Sequence, residues 1–155
     1  MHTVNHIRIQ APARRIYEFA AAIERWPDIL PHYRSVRLLS DDGHRRVADM
    51  AAWRDFIPVR WRAEQVLYPD EPRIAFRHVG GITKGMEVEW RFAESDGVTD
   101  VSIYHEFTLN WPLIGGLAAE RIIGPMFVAN IAGKTLRRIR QLAENRADSS
   151  VWGHA

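Results

Sequence analysis

Residues 122–143 read IIGPMFVANIAGKTLRRIRQLA, and this stretch decides the fold. Apolar and small residues recur in it every three or four positions, which is the period of one face of an α-helix. The predicted face comprises Ile122, Met126, Ala129, Ala132, Gly133, Leu136, Ile139 and Ala143. Because Pro125 has no backbone N–H to donate, the helix should begin or kink there. We therefore predict a long C-terminal helix, within residues 111–145, that needs a broad apolar surface to pack on.

A second apolar stripe runs along the same helix. Ile123, Phe127 and Ile131 are spaced four residues apart, on the side that carries Lys134 and Arg138 further along. Large apolar groups are seldom left exposed in such a row. Either the first helix and the turn after it cover this stripe, or a second copy of the chain does, which makes a homodimer one predicted assembly.

The chain upstream of this helix is predicted to supply a curved sheet. Residues 3–10 form a strand, Pro12 opens a helix through Ile23, and residues 26–31 form a second, brief helix. Strands separated by turn residues follow at 33–39, 45–55, 57–68, 73–78, 86–92 and 101–109. The predicted fold class is α+β, with an antiparallel sheet of about seven strands wrapped around the long C-terminal helix.

One face of this sheet is predicted to be apolar and rich in aromatic side chains. Alternate residues of a strand share a face. The inward set obtained in this way comprises Trp53, Ile57, Val59, Trp61, Ala63, Gln65, Leu67, Ile74, Phe76, His78, Met86, Val88, Trp90, Phe92, Val101, Ile103, His105, Phe107 and Leu109. Ligand pockets have such walls, although aromatic side chains also fill ordinary cores. The isolated polar members, Gln65, His78 and His105, are either ligand contacts or hydrogen-bonded core residues.

Composition excludes several classes of function. The chain has 155 residues, 46% hydrophobic content and no cysteine, so disulfides, thiolate metal sites and cysteine nucleophiles are absent. A net charge of +2 is too small to indicate a nucleic-acid partner. The seven histidines show no ligand spacing on a predicted helix, so neither a metal nor another cofactor is expected. Without a signal peptide or an apolar run of about 18 residues, we expect a cytoplasmic protein with no transmembrane segment.

The whole chain is predicted to be one folded unit. No repeat, low-complexity tract or interdomain linker interrupts it. Residues 1–146 should form a single domain, because this length suffices for one hydrophobic core. Residues 147–155 are predicted to be a flexible tail.

Several segments together resemble a known family. Residues 7–13 (IRIQAPA), 16–19 (IYEF) and 24–33 (ERWPDILPHY) are similar to the polyketide cyclase/dehydrase family of the START-like, helix-grip (SRPBCC) superfamily. Residues 124–127 (GPMF) and 134–138 (KTLRR) resemble its closing helix. The resemblance spans nearly the whole chain, and the order of elements agrees with the order predicted above. The family includes aromatase/cyclases, coenzyme-Q-binding proteins and a bacterial ribosome-association factor.

The resemblance implies an apolar cavity between the sheet and the long helix. Trp26 and Tyr33 match positions that line the mouth of such cavities, and Trp61 matches the aromatic residue of the central strand. Cyclases of the family have an inward arginine shortly after that tryptophan, where this chain has Gln65. The residues predicted to bind the ligand are Trp26, Tyr33, Trp53, Trp61, Gln65, Phe76, Met86, Trp90, Phe107 and Met126.

Three functions follow from the residues and the resemblance. The first is binding of a hydrophobic or aromatic small molecule by an aromatase/cyclase, in which His105, with His78 as a second candidate, is the general acid or base for aldol cyclisation and dehydration. Burial should keep the imidazole of His105 neutral, which is the form that removes a proton. The second is a carrier of quinone or lipid that performs no chemistry. The third is a partner-binding module of the ribosome-factor type.

Overall fold

The structure, a computed structural model, describes residues 2–81, 83–107 and 125–145, with side chains from Val128 onward in the last segment. Its strands are β1 His2–Ile9, β2 Tyr33–Asp41, β3 Arg45–Arg54, β4 Ile57–Tyr68, β5 Arg73–Gly81, β6 Glu87–Ser95 and β7 Val98–Glu106. Its helices are α1 Ala13–Ala21, α2 Trp26–Ile29 and α3 Pro125–Glu144, with one 3-10 turn at Ile23–Arg25. The predicted element order and fold class are confirmed.

All seven strands form one antiparallel sheet in the order β1-β7-β6-β5-β4-β3-β2. Consecutive strands are neighbours from β2 to β7, so hairpin turns suffice to connect them. β1 pairs with the last strand, from His2 opposite Glu106 to Ile9 opposite Thr99. This pairing returns the start of the chain to the far edge of the sheet, and α1 and α2 lie between β1 and β2 in sequence. The predicted alternation in β6 and β7 is confirmed, because their inward residues are buried.

Helix α3 packs its apolar face against the rest of the fold, chiefly against β1 and α1. The buried side chains of this face are Val128, Ala132, Thr135, Leu136, Ile139, Leu142 and Ala143. The predicted stripe is wrong at Ala129, which is exposed, because the buried face passes through its neighbour Val128. The guanidinium of Arg15 donates to the carbonyl oxygens of Ala143 at 2.7 Å and Leu142 at 3.1 Å. These bonds satisfy carbonyls that a helix end leaves unpaired.

Some predicted boundaries differ from the observed ones. Strand β5 continues through Gly80 and Gly81, three residues beyond its predicted end at residue 78. Gly81 has φ +88°, and a Cβ there would lie 2.7 Å from the carbonyl oxygen of Arg60, so only glycine fits beside β4. Helix α1 ends at Ala21 and not at Ile23, because a 3-10 turn follows it.

Several sequence predictions fall on parts that the structure does not describe. They concern Leu109, Ile122, Ile123 and the tail at residues 147–155, all outside the described residues. The side chains of Met126 and Phe127 are outside them too. Ile131, the remaining member of the second stripe, is half-buried and packs against the core. A homodimer therefore stays a prediction.

Candidate functional site

A cavity lies between the concave face of the sheet and α3. Its volume is about 80 Å³, measured as the space that the centre of a water molecule can occupy. A single buried water needs roughly 10–15 Å³ on that measure, so the space exceeds a packing defect. The lining residues are Trp26, Tyr33, Met50, Trp61, Phe76, His78, Thr83, Met86, Val88, Trp90, Ile103, His105, Val128, Ile131, Ala132 and Thr135.

Aromatic rings form one wall of this cavity. The indole N–H of Trp26 donates to the carbonyl oxygen of Phe19 at 3.0 Å, which fixes the ring at the end of α1. Trp26 lies edge-on to Tyr33, with ring centroids 4.9 Å apart, and is tilted at 6.2 Å from Trp90. Tyr33 in turn lies 6.0 Å from Trp61. These contacts position the rings against one another, so the wall is formed before any ligand arrives.

His78, on β5, is a polar residue within the aromatic wall. Its imidazole stacks on Trp61, with centroids 5.6 Å apart and planes 4° from parallel. Its Nδ1 lies 2.6 Å from the hydroxyl oxygen of Thr83. Desolvation, with a smaller effect from nearby His105, lowers the pKa of His78 to about 3. The imidazole is therefore neutral at pH 7 and held by both its face and one nitrogen.

His105 is the second imidazole in the cavity wall, contributed by β7. It is 8% exposed, and desolvation lowers its pKa to about 4. Its Nδ1 is buried without a hydrogen-bond partner among the described residues. A buried N–H with no acceptor costs more than a buried lone pair, so the proton of the neutral ring belongs on Nε2. In this tautomer, His105 presents a hydrogen-bond donor.

Tyr33 and Thr135 add hydroxyl groups to the lining. Burial raises the pKa of Tyr33, so its phenol stays protonated at neutral pH. The Thr135 hydroxyl donates to the carbonyl oxygen of Ile131 at 2.8 Å and also lies 2.8 Å from Nε2 of His32. Desolvation and the charge of Lys134 lower the pKa of His32 to about 4. The His32–Thr135 pair closes the cavity on the side of α3.

The structure brings most of the predicted site residues together. Those that line the cavity are Trp26, Tyr33, Trp61, Phe76, His78, Met86, Trp90 and His105. Phe107 is buried but is not part of the lining. The predicted inward orientation of Trp53 is wrong: it is 37% exposed, with the guanidinium of Arg34 4.8 Å above its ring. The side chain of Met126 lies outside the described residues.

Gln65 faces inward as predicted, but it does not reach the cavity. It is 0% exposed, and its amide donates to the carbonyl oxygen of Ala21 at 3.0 Å. Its Oε1 accepts from Arg46 at 3.1 Å, and Arg46 also donates to Ala21 and pairs with Glu24. Both groups are occupied in tying the end of α1 to β3 and β4. The predicted role of Gln65 in ligand contact is therefore corrected to a structural one.

Several lining residues were not predicted as site residues. Met50, Thr83, Val128, Ile131, Ala132 and Thr135 are the clearest cases. Thr135 follows Val128 by seven positions, or two helical turns, so a stripe drawn through both would have identified them. Thr83 lies in the glycine-rich connection after β5, where sequence periodicity carries no signal for orientation.

No cluster of three or more metal-ligating side chains exists among the described residues, and the cavity lining contains neither lysine nor arginine there. Nor does any helix of the described chain have the length and apolar character needed to cross a membrane. The cavity offers a ligand apolar contact area, two neutral imidazoles and hydroxyl groups.

Comparison with known proteins agrees with this geometry. The family model described as "Polyketide cyclase / dehydrase and lipid transport" matches residues 9–124. The chain belongs to this family. It is also 32% identical, over 112 residues, to the actinorhodin polyketide synthase bifunctional cyclase/dehydratase of Streptomyces coelicolor. That match covers 68% of this chain and 34% of the relative, so the chain spans about a third of the relative's length.

Solved structures show the same fold. The Zhui aromatase/cyclase from Streptomyces sp. R1128 is 22% identical, with a TM-score of 0.86, and the match covers 100% of this chain and 99% of that one. A START superfamily protein from Mycobacterium smegmatis is 14% identical, with a TM-score of 0.65 and coverage of 94% and 95%. These structures can thus be compared with this chain element by element, and its START-like fold is established.

Proposed function

We propose that this protein binds a hydrophobic, polyketide-type small molecule in the cavity and promotes its aldol cyclisation and dehydration. The observation that carries this proposal is the pair of neutral imidazoles, His78 and His105, in the wall of an otherwise apolar and aromatic cavity. An ordinary hydrophobic core would exclude both imidazoles or give every ring nitrogen a hydrogen-bond partner. The family match and the likeness to a cyclase/dehydratase support the same class of ligand.

The two imidazoles are suited to different roles. Nδ1 of His78 can donate to Thr83, which leaves the lone pair of Nε2 free to accept a proton. His105 carries its proton on Nε2 because its Nδ1 has no acceptor in the described structure. We therefore assign His78 as the base and His105 as a hydrogen-bond donor to a ligand oxygen. This assignment reverses the order of importance that the sequence suggested.

The reaction needs no other reagent. His78 removes a proton from a methylene between two carbonyl groups, and the resulting enolate carbon attacks a second ketone of the same chain. His105 and the Tyr33 hydroxyl donate hydrogen bonds to the developing oxyanion. The protonated His78 returns its proton to that alkoxide and is neutral again. For the dehydration, His78 removes a second proton from the carbon next to the new alcohol. The protonated His78 then gives this proton to the hydroxyl group, which leaves as water while the double bond forms.

The low pKa values limit the rate of this chemistry. A base whose conjugate acid is disfavoured by burial accepts a proton less readily than free imidazole does. No cation lines the described cavity to stabilise an enolate. The buried Arg46 is hydrogen-bonded to Ala21 and Gln65 and does not line the cavity. These features equally suit an unreactive quinone, whose carbonyl oxygens would accept hydrogen bonds from His105 and Tyr33. A quinone carrier is therefore the second candidate function.

Turnover of a polyketone substrate distinguishes the cyclase from the quinone carrier. We would incubate the protein with a synthetic linear poly-β-ketone ester, follow cyclised products by mass spectrometry, and measure binding by calorimetry. His78→Gln should abolish turnover above background while binding changes less than threefold, and His105→Gln should slow turnover with a similar small effect on binding. Val79→Ala, an exposed change in the same strand, serves as the control. Binding without turnover by the wild type would reject the cyclase and favour the carrier.

A further inference from the structure

A second concave region lies on the outer surface, between the β3–β4 hairpin and α3. It is lined by Pro31, His32, Trp53, Asp55, Phe56, Lys134, Arg137, Arg138 and Gln141, and we call it the hairpin groove. His32 belongs to this groove, whereas its hydrogen-bond partner Thr135 lines the internal cavity. One hydrogen-bonded side-chain pair thus joins the wall of the groove to the wall of the cavity.

Two aromatic side chains project from the hairpin. Phe56 is 84% exposed, the highest value among the exposed large apolar residues described. Asp55 before it has φ 55°, a left-handed turn conformation that a non-glycine residue adopts at a cost. This turn directs the chain so that Phe56 stands clear of the sheet. Trp53 lies beside it, partly exposed and covered on one face by Arg34.

The lining of the groove also has an excess of positive charge, with Lys134, Arg137 and Arg138 against Asp55. On the outer face of the sheet, several arginines pair with carboxylates, as in Arg45–Glu64 at 2.9 Å and Arg62–Asp49 at 2.7 Å. Around the groove, Lys134 pairs with Asp55 at 3.2 Å. In contrast, three further cations make no ion pair with a carboxylate of the described chain; they are Arg34, Arg137 and Arg138. With a net charge of only +2, this local excess marks a site for an anionic partner.

We propose that the hairpin groove docks on an anionic phospholipid surface. Exposed Phe and Trp beside unpaired arginines form the combination by which proteins bind at the headgroup level of a bilayer. A protruding Phe56 would need a deep matching pocket in a rigid protein partner, but a bilayer interface yields to it. The orientation also brings the His32–Thr135 pair, which joins the groove to the cavity lining, next to the membrane. A hydrophobic ligand would then be exchanged with the bilayer and not with water.

The test uses sedimentation with vesicles of phosphatidylcholine, with and without phosphatidylglycerol, at low ionic strength. The wild type should bind the anionic vesicles and not the neutral ones. Arg34→Gln combined with Arg137→Gln should weaken this binding about 25-fold, from a contribution of roughly fivefold per charge. The matched control, Arg8→Gln with Arg77→Gln, removes the same charge from the outer face of the sheet and should have little effect.

The apolar part of the docking surface has its own variant. Phe56→Ala should reduce binding about tenfold, whereas Val4→Ala, which is 49% exposed at the opposite edge of the sheet, should not. Brominated lipids should quench the wild type's fluorescence more than that of Trp53→Phe, because Trp53 would lie at the interface. Failure of the wild type to bind anionic vesicles, or equal loss in the groove and control variants, overturns the proposal. Binding to an acidic protein without vesicle binding overturns it too and assigns the groove to a protein partner. These results are independent of turnover in the cavity.

Discussion

The network around Arg46 and Gln65 offers a quantitative test of the distinction between structural and ligand-binding polar groups. Arg46 is buried and donates to the carbonyl oxygen of Ala21 at 2.8 Å and to Gln65 Oε1 at 3.1 Å, and it pairs with Glu24. In Arg46→Met, the carbonyl oxygen of Ala21 keeps its bond from the Gln65 amide, but Gln65 Oε1, which is fully buried, loses the donor that Arg46 supplied. An unsatisfied buried group costs about 1–3 kcal/mol.

The two single variants should not be additive. Glu24 is 42% exposed at its side chain, so water replaces its lost partner and the pair adds little. We therefore expect Arg46→Met to lower the free energy of unfolding by about 2–3 kcal/mol, and Gln65→Leu by about 1–2 kcal/mol. In the double variant, Gln65 Oε1 no longer exists, so the combined loss should fall short of the sum by at least about 1 kcal/mol.

Urea denaturation at pH 7, followed by tryptophan fluorescence, measures all four proteins of this cycle. Ligand affinity should stay within about twofold of wild type in each, because neither residue lines the cavity. Leu39→Ala, an exposed change on β2, controls for unspecific loss of stability. Additive losses, or a tenfold fall in affinity from Gln65→Leu alone, would refute the structural role.

Two further predictions follow from burial. Because burial lowers the folded-state pKa of His78 to about 3 and of His105 to about 4, below the unfolded value near 6.5, the folded chain binds fewer protons than the unfolded one below pH 6.5. The free energy of unfolding should thus fall between pH 7 and pH 5, by about 2 kcal/mol for each imidazole. In urea titrations, His105→Gln should lose about 2 kcal/mol less over this range than the wild type does. Ile139→Ala, in the closed core, should cost about 3 kcal/mol, whereas Trp90→Ala, whose ring borders the cavity, should cost less and weaken ligand binding, as thermal and calorimetric measurements can show.

The regular elements could be predicted from sequence because period and turn chemistry determine them locally. The alternation of Val88, Trp90 and Phe92 identified both the strand and its buried face. Pro125 marked the first described residue of α3. The exposed position of Trp53 could not be predicted, because its strand does not alternate cleanly between buried and exposed residues. Three small residues, Ala48, Ala51 and Ala52, are buried there, although Ala51 points to the opposite face from the other two.

The site was predicted less completely than the fold. Parity along a strand shows which face a residue occupies, but not how far along that face the cavity extends. Gln65 and His78 both point inward, yet the loop end of α1 covers the first and the cavity reaches the second. The orphaned Nδ1 of His105 and the Thr83 bond to His78 depend on residues distant in sequence, and they decide the roles of the two imidazoles.

The central claim, that the cavity between the sheet and α3 holds the ligand, is tested most directly by filling it. Ala132 is buried, lines the cavity and carries no polar group. Ala132→Phe places a ring in that space without removing a hydrogen bond, and binding of 1-naphthol by calorimetry reports the result. We expect wild type to bind and Ala132→Phe to lose at least tenfold in affinity while remaining folded by circular dichroism. Unchanged affinity in the folded variant would show that the ligand binds elsewhere.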